Sequence, residues 1–276
     1  MTITRLASLF ALGLISAAAH AQVPLFSENF GTNTDGTTIT TSNTAFTYAR
    51  ISTGATPILA FKNPSSFGTG ASAQLLATTG SLTGLGVTSG TYTAFDVATL
   101  SFDLRTPTAF SAGSSFFFGA GTGATTFTSN STFASADLMA GFQITTGGIL
   151  QSRATSAWGT VSGVTLTSAT NYSFSVVMNG SASTVNYGTG GAVAAARAHI
   201  YLNNVLVGNV PIQDSASVTA FRLYVTSQAA ANGGYELDNV QLFDSAVMPS
   251  AVIPEPGTLA LAALGLAGLA VKRRRK

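Results

Sequence analysis

Between residues 22 and 246, short runs of β-branched and aromatic residues are separated by Gly, Ser, Thr and Asn, and helical spacing is almost missing. Side chains of a strand point alternately to opposite sides, so a run that alternates has one apolar face and one polar face. Leu100, Phe102 and Leu104 share a face of one such run, and Tyr172, Phe174 and Val176 share a face of another. A chain written this way folds as antiparallel sheets that bury one side and wet the other. The pattern predicts strands at Leu25 to Phe30, Phe46 to Ile51, Ala73 to Thr78, Thr99 to Arg105, Ser115 to Phe118, Gly141 to Thr145, Tyr172 to Met178, Ala198 to Tyr201, Phe221 to Thr226 and Tyr235 to Phe243. About ten short strands in about 225 residues imply an all-β protein, one antiparallel β-sandwich of jelly-roll form. No internal repeat supports a β-helix or propeller.

The two ends read differently from this middle. Met1 to Ala21 has Arg5 near its start, an apolar core from Leu6 to Ile15 and a small-x-small site at Ala19-His20-Ala21, the pattern of a secretory signal peptide that would leave Gln22 as the mature N-terminus. At the other end stand Ile253-Pro254-Glu255-Pro256-Gly257-Thr258, an uncharged run to Val271, and Lys272-Arg273-Arg274-Arg275-Lys276. Pro254 and Pro256 lack amide donors and push the residues before them toward extended geometry, so the tripeptide should be an exposed strand-like segment that a protease can bind. Residues 258–271 as a helix would span roughly 21 Å against roughly 30 Å of hydrocarbon, short for a permanent anchor unless Lys272 and Arg273 snorkel or the bilayer thins. The alternative, a buried helix of a soluble domain, fits poorly with five consecutive cations behind it.

A Pro-Glu-Pro turn, an apolar stretch and a basic cluster in that order resemble the PEP-CTERM sorting tail of Gram-negative surface proteins. The resemblance implies that Pro254, Glu255 and Pro256 form the sorting motif. It also implies that an exosortase, an integral-membrane transpeptidase-like enzyme, recognises, cuts and hands on the chain. The expected division is then a signal peptide at 1–21, a β-sandwich at 22–246, a linker with Pro-Glu-Pro at 247–257, a transmembrane segment at 258–271 and a basic cytoplasmic tail at 272–276. The two ends agree on one topology, with the middle exported and the tail cations inside. The inner membrane is thus expected as a transient anchor before the cell surface or extracellular matrix.

Between Gln22 and Pro249 there are six cations and nine acids, so the exported part is mildly acidic although the whole chain carries a formal +2. That excludes a nucleic-acid footprint. The chain has no Cys, so no disulfide can help. Charged residues are only 8% of the chain, which leaves a surface of Ser, Thr, Asn and Gly that repels neighbours little and suits a protein packed into a matrix.

Phe26-Ser27-Glu28-Asn29-Phe30 and Tyr235-Glu236-Leu237-Asp238-Asn239-Val240-Gln241-Leu242 resemble the first and last strands of concanavalin-like and carbohydrate-binding jelly rolls, where the terminal strands lie close together. Leu237 is out of phase with Val240 and Leu242, which predicts a bulge at Asp238-Asn239. The resemblance implies that Glu28 and Asp238 are candidate ligands of a structural Ca²⁺; the alternative is that they cap strands or face solvent.

Catalytic patterns are weak. His199 is the one histidine of the exported part and reads as a surface or packed residue rather than a base. Without Cys or a second His, thiol catalysis and the usual transition-metal sites are excluded. Gly119-Ala120-Gly121-Thr122-Gly123-Ala124 fits a dinucleotide fingerprint in letters, but Thr125-Thr126-Phe127-Thr128 follows where a helix is needed. Jelly-roll glucanases use Glu-x-Asp-x-x-Glu on a strand; here Glu236 and Asp238 are followed by Gln241, so one member of the carboxylate pair is gone. Trp158, in Ser156-Ala157-Trp158-Gly159, sits in a loop-like context and is either a platform for a sugar ring or the buried anchor of a loop. Tyr92, Tyr187 and Tyr235 are further aromatic candidates, and Asn203-Asn204 reads as hairpin chemistry. The sequence therefore predicts a non-enzymatic structural or adhesive surface protein. A carbohydrate-binding module in contact with extracellular polysaccharide is the alternative, and a glycoside hydrolase the third reading.

Overall fold

The computed structural model describes residues 22–50, 58–77, 85–110, 115–122, 135–154, 157–188, 190–213, 216–226 and 233–249. Two antiparallel sheets pack face to face as a sandwich. The larger sheet has eight strands in the order β15 (Val205–Pro211), β14 (Arg197–Leu202), β11 (Asn171–Asn179), β6 (Val97–Arg105), β17 (Tyr235–Phe243), β4 (Ser72–Leu76) and β3 (Ile58–Lys62), with β1 (Phe26–Glu28) also paired to β17. The smaller has seven: β10 (Ala157–Thr165), β9 (Ile149–Ala154), β8 (Leu138–Ile144), β7 (Phe116–Gly121), β16 (Ala220–Val225), β5 (Leu85–Thr88) and β2 (Tyr48–Arg50). A separate hairpin joins β12 (Val185–Tyr187) to β13 (Gly191–Val193).

The alternation of the central strands builds the core. Phe102 and Phe174 are cross-strand partners on β6 and β11 and stack at 5.2 Å, while Phe118 and Phe142 do the same on β7 and β8 at 5.1 Å. The two pairs meet across the sandwich, with Phe102 edge-on to Phe118 at 5.1 Å. Such pairs add about 0.5–1.5 kcal/mol beyond the area they bury. A second aromatic group, Phe26, Phe46 and Phe221, ties β1 to the smaller sheet.

β1 pairs with β17, Phe26 opposite Leu242, so the terminal strands lie side by side as their sequences suggested. The bulge forms where the phase breaks: the register between β17 and β6 shifts between Asp238 and Gln241, and Asn239 takes φ 49°. Asn203 and Asn204, at φ 50° and 66°, form the two-residue hairpin between Leu202 and Val205. Two left-handed residues in a row match the turn that two-residue hairpins favour, and Asn tolerates that conformation better than most side chains.

Each of the ten predicted runs coincides with a strand, but the described residues hold seventeen. The others are β3, β5, β9, β10, β12, β13 and β15. β12 and β13 are three residues each, and β10 (Ala-Trp-Gly-Thr-Val-Ser-Gly-Val-Thr) is written in turn-like residues. β15 is an edge strand, largely exposed, and ends on Pro211, where a missing amide donor does no harm.

Candidate functional site

The outer face of the larger sheet carries the polar positions of its alternating strands. Ser101 on β6 faces Ser175 on β11 and Gln241 on β17; one step along, Asp103 faces Ser173 and Asp238. Of these, Ser101, Asp103, Ser173, Ser175 and Gln241, with Asn204, Asn239, Phe243 and the segment Val247-Met248-Pro249, line a groove of about 210 Å³. Among the described residues the side chains of Ser101, Ser173, Ser175, Asn204 and Gln241 bond to nothing; Ser101, Ser173, Asn204 and Gln241 are exposed or half-buried, and Ser175 lies deeper, 5% exposed, at the groove floor. Asp103 is held by Asn239, whose Nδ2 donates to Oδ2 at 2.8 Å. No Lys or Arg lines the groove.

The wall of the groove is the chain after β17. Thr99 Oγ1 donates to the Ser245 carbonyl at 2.8 Å and accepts from the Val247 amide at 2.9 Å. Gln22 Nε2 donates to Ser245 Oγ at 2.8 Å, so both ends of the described chain meet on this sheet. Ala246 packs on Val177, Tyr187, Val193 and Tyr201.

At the rim, Asp238 is 6% exposed. Burial pushes its carboxyl up to about 6, with Asp103 and Glu28 adding like charge, against hydrogen bonds from the Asn239 amide and Ser65. Glu28 is a cap: it accepts the amides of Phe30 at 2.7 Å and Ala45 at 2.5 Å. Among the described residues no three His, Cys, Asp or Glu side chains gather as a metal site. Glu236, two residues before Asp238, is tied to Lys62 and accepts from Ser66 at 3.0 Å, with Arg105 Nε 3.9 Å away. That carboxylate is committed to joining β17 to β3 and β6.

Trp158 lies in strand β10, not in a loop; Gly159 and the serine before it gave the misleading turn signal. It is half-buried on the outer face of the smaller sheet, edge-on to Phe117 at 5.7 Å, with the Arg153 guanidinium 5.5 Å over its ring. Phe117 stacks on Tyr224 at 4.6 Å, and Arg222 covers the other ring at 4.4 Å. Tyr92, Tyr187 and Tyr235 do not make one platform. Tyr235 is fully buried against Phe116, Tyr92 packs at the edge of the core, and Tyr187 is on the larger sheet's outer side. There its hydroxyl bonds His199 Nδ1 at 2.6 Å and Tyr201 at 2.7 Å. His199 is packed, and burial, then the Arg197 charge, hold its pKa below the usual value. Ala19, Ala21, Pro254, Glu255 and Pro256, the expected transmembrane segment and Gly123-Ala124 lie outside the described residues; Gln22 is the first of them.

The groove was missed from sequence. Its one signal is that the outward positions in the middle of β6 and β11, Ser101, Asp103, Ser173 and Ser175, are short, where long side chains are the commoner choice.

Residues 252–276 match the PEP-CTERM protein-sorting motif, which implies export, processing by an exosortase and cell-surface sorting. No curated protein matches the chain. Among solved structures, the binding domain of botulinum neurotoxin serotype D is similar over 81% of this chain and 48% of its own, at 8% identity and TM-score 0.47. A sialidase matches over 63% of this chain and 15% of its own, at 13% identity and TM-score 0.42. A Caenorhabditis elegans galectin matches over 57% of this chain and 90% of its own, at 14% identity and TM-score 0.35.

Proposed function

We propose that this is an exported, non-enzymatic protein whose β-sandwich, a jelly roll in form, acts as a structural or adhesive component of the cell surface or of an extracellular polysaccharide matrix. The observation that carries the reading is the sorting motif at 252–276 behind a folded passenger. The sandwich suits delivery by a tail. Gln22 and Ser245 are bonded to each other, so the two ends of the described chain lie together, which supports a passenger processed at both ends. The inner membrane serves as an intermediate station, and exosortase as the partner there.

The polar groove favours a second reading, a carbohydrate-binding module, because its polar lining is hydroxyl and amide with a single carboxylate, Asp103, beside an apolar wall.

The test is localisation of the native chain beside a variant with Pro254, Glu255 and Pro256 all replaced by Ala. The native chain is expected at the surface or in the matrix and the variant in the inner membrane. Equal distribution of the two would remove the basis of the reading.

A further inference from the structure

We propose that the outer face of the larger sheet binds a neutral, hydroxyl-rich glycan in the groove over β6, β11 and β17; this deepens the carbohydrate-binding reading and rests on it. A polyol presents donors and acceptors together, and the groove floor answers in kind. The serine hydroxyls and the Gln241 amide each donate and accept, and Asp103 accepts only. The pairings put these groups on a regular grid: Gln241, Ser101 and Ser175 in one row across the strands, Asp103 and Ser173 in the next. Neighbouring strands are about 4.8 Å apart and same-face residues along a strand about 6.6 Å, a spacing on which successive hydroxyls of a sugar chain find partners.

Three features separate this face from an ordinary wetted sheet. Its side chains are short, so the surface is a trough. Their polar atoms are uncommitted inside the fold, whereas Asp103 is already oriented by Asn239. The wall is apolar, formed by Phe243 with Val247, Met248 and Pro249, and offers a surface to the C–H side of a sugar ring. The charge decides the class of glycan. With a carboxylate in the groove and no cation lining it, a polyanion would be repelled and would find no counter-charge. Because the wall is the segment that leads to the sorting tail, the site sits beside the point where the chain leaves the domain.

The experiment is affinity electrophoresis of the full chain in mild detergent through gels containing dextran, galactomannan or laminarin, with alginate as the anionic comparison run on the chain whose basic residues 272–276 are all replaced by Ser, because that cluster would itself bind a polyanion. At least one neutral polymer should retard the native chain, and alginate should not retard the chain with the Ser replacements. Asp103→Asn and Gln241→Ala should each weaken retardation about tenfold, the scale of one lost hydrogen bond to a charged or well-placed group. Trp158→Ala, on the other sheet, should bind as the native chain does. Gln241 bonds to nothing in the fold, so its variant stays readable if Asp103→Asn loosens the β6–β17 pairing. Retardation by none of the neutral polymers, stronger retardation by alginate, or a loss confined to Trp158→Ala would each overturn the proposal. A chain that reaches the surface yet ignores all three polymers would sink the groove and leave the export reading standing.

Discussion

The outer faces of the two sheets are made by the same device, the polar half of an alternating strand, and they end in opposite chemistry. On the smaller sheet the positions between Phe116, Phe118, Phe221 and Leu223 are Phe117, Arg222 and Tyr224; they stack on one another, and Tyr224 is 0% and Arg222 1% exposed. On the larger sheet the positions between Leu100, Phe102, Leu104 and Phe174 are Ser101, Asp103, Ser173 and Ser175, and they leave a trough. The alternation of apolar side chains along a strand therefore says which side is the core. The size and hydrogen-bonding state of the other side say whether that side is structural or available.

This contrast can be broken most strongly on the filled face. Tyr224→Ala should destabilise the fold by about 3–5 kcal/mol, the range for deleting a buried aromatic, read as a lowered midpoint in urea. Asp238→Asn tests the rim of the open face. Its carboxyl titrates near 6 in the fold against about 3.9 for a free Asp, so the folded state holds the proton more tightly. That contribution is complete below about pH 4 and is lost as pH rises through 6. The Asn variant should therefore be more stable at pH 7, by on the order of 2 kcal/mol, and should lack the fall in stability between pH 4 and 6.

Smaller effects sharpen the comparison. Arg153→Ala should lose about 0.5–1 kcal/mol, the worth of a cation over an indole at a partly exposed site, and should shift the emission of Trp158, the chain's single tryptophan. Ser101→Ala and Gln241→Ala should change stability by less than about 0.5 kcal/mol in thermal melts while weakening polymer retention. A large stability loss from either would mean that the open face is structural after all.

The difference in legibility follows the same lines. β6 and β11 could be read from Leu100-Phe102-Leu104 and Tyr172-Phe174-Val176 because a strand buried on one face prints its period locally. The bulge at Asp238-Asn239 was readable for the same reason, as a break in phase, and so was the tail, whose three parts are contiguous. β10 was not readable, because Gly159, Gly163, Ser162 and the threonines do not distinguish a strand from a loop without β9 beside it. The groove was invisible because it exists only once Gln241, Ser101 and Ser175, far apart in the chain, are set in one row by pairing across three strands. Trp158 illustrates the opposite situation. Its rarity drew attention to it, but the fold gives its ring to Phe117 and Arg153.

Amide chemical-shift mapping of the isotope-labelled chain, titrated with the neutral polymer that retards it most, tests the division between the two faces most directly. The account predicts shifts at Ser101, Asp103, Ser173, Ser175 and Gln241 with Phe117, Trp158 and Tyr224 unmoved. Shifts centred on Trp158 and Tyr224, or none on β6, β11 and β17 at saturating polymer, would contradict it.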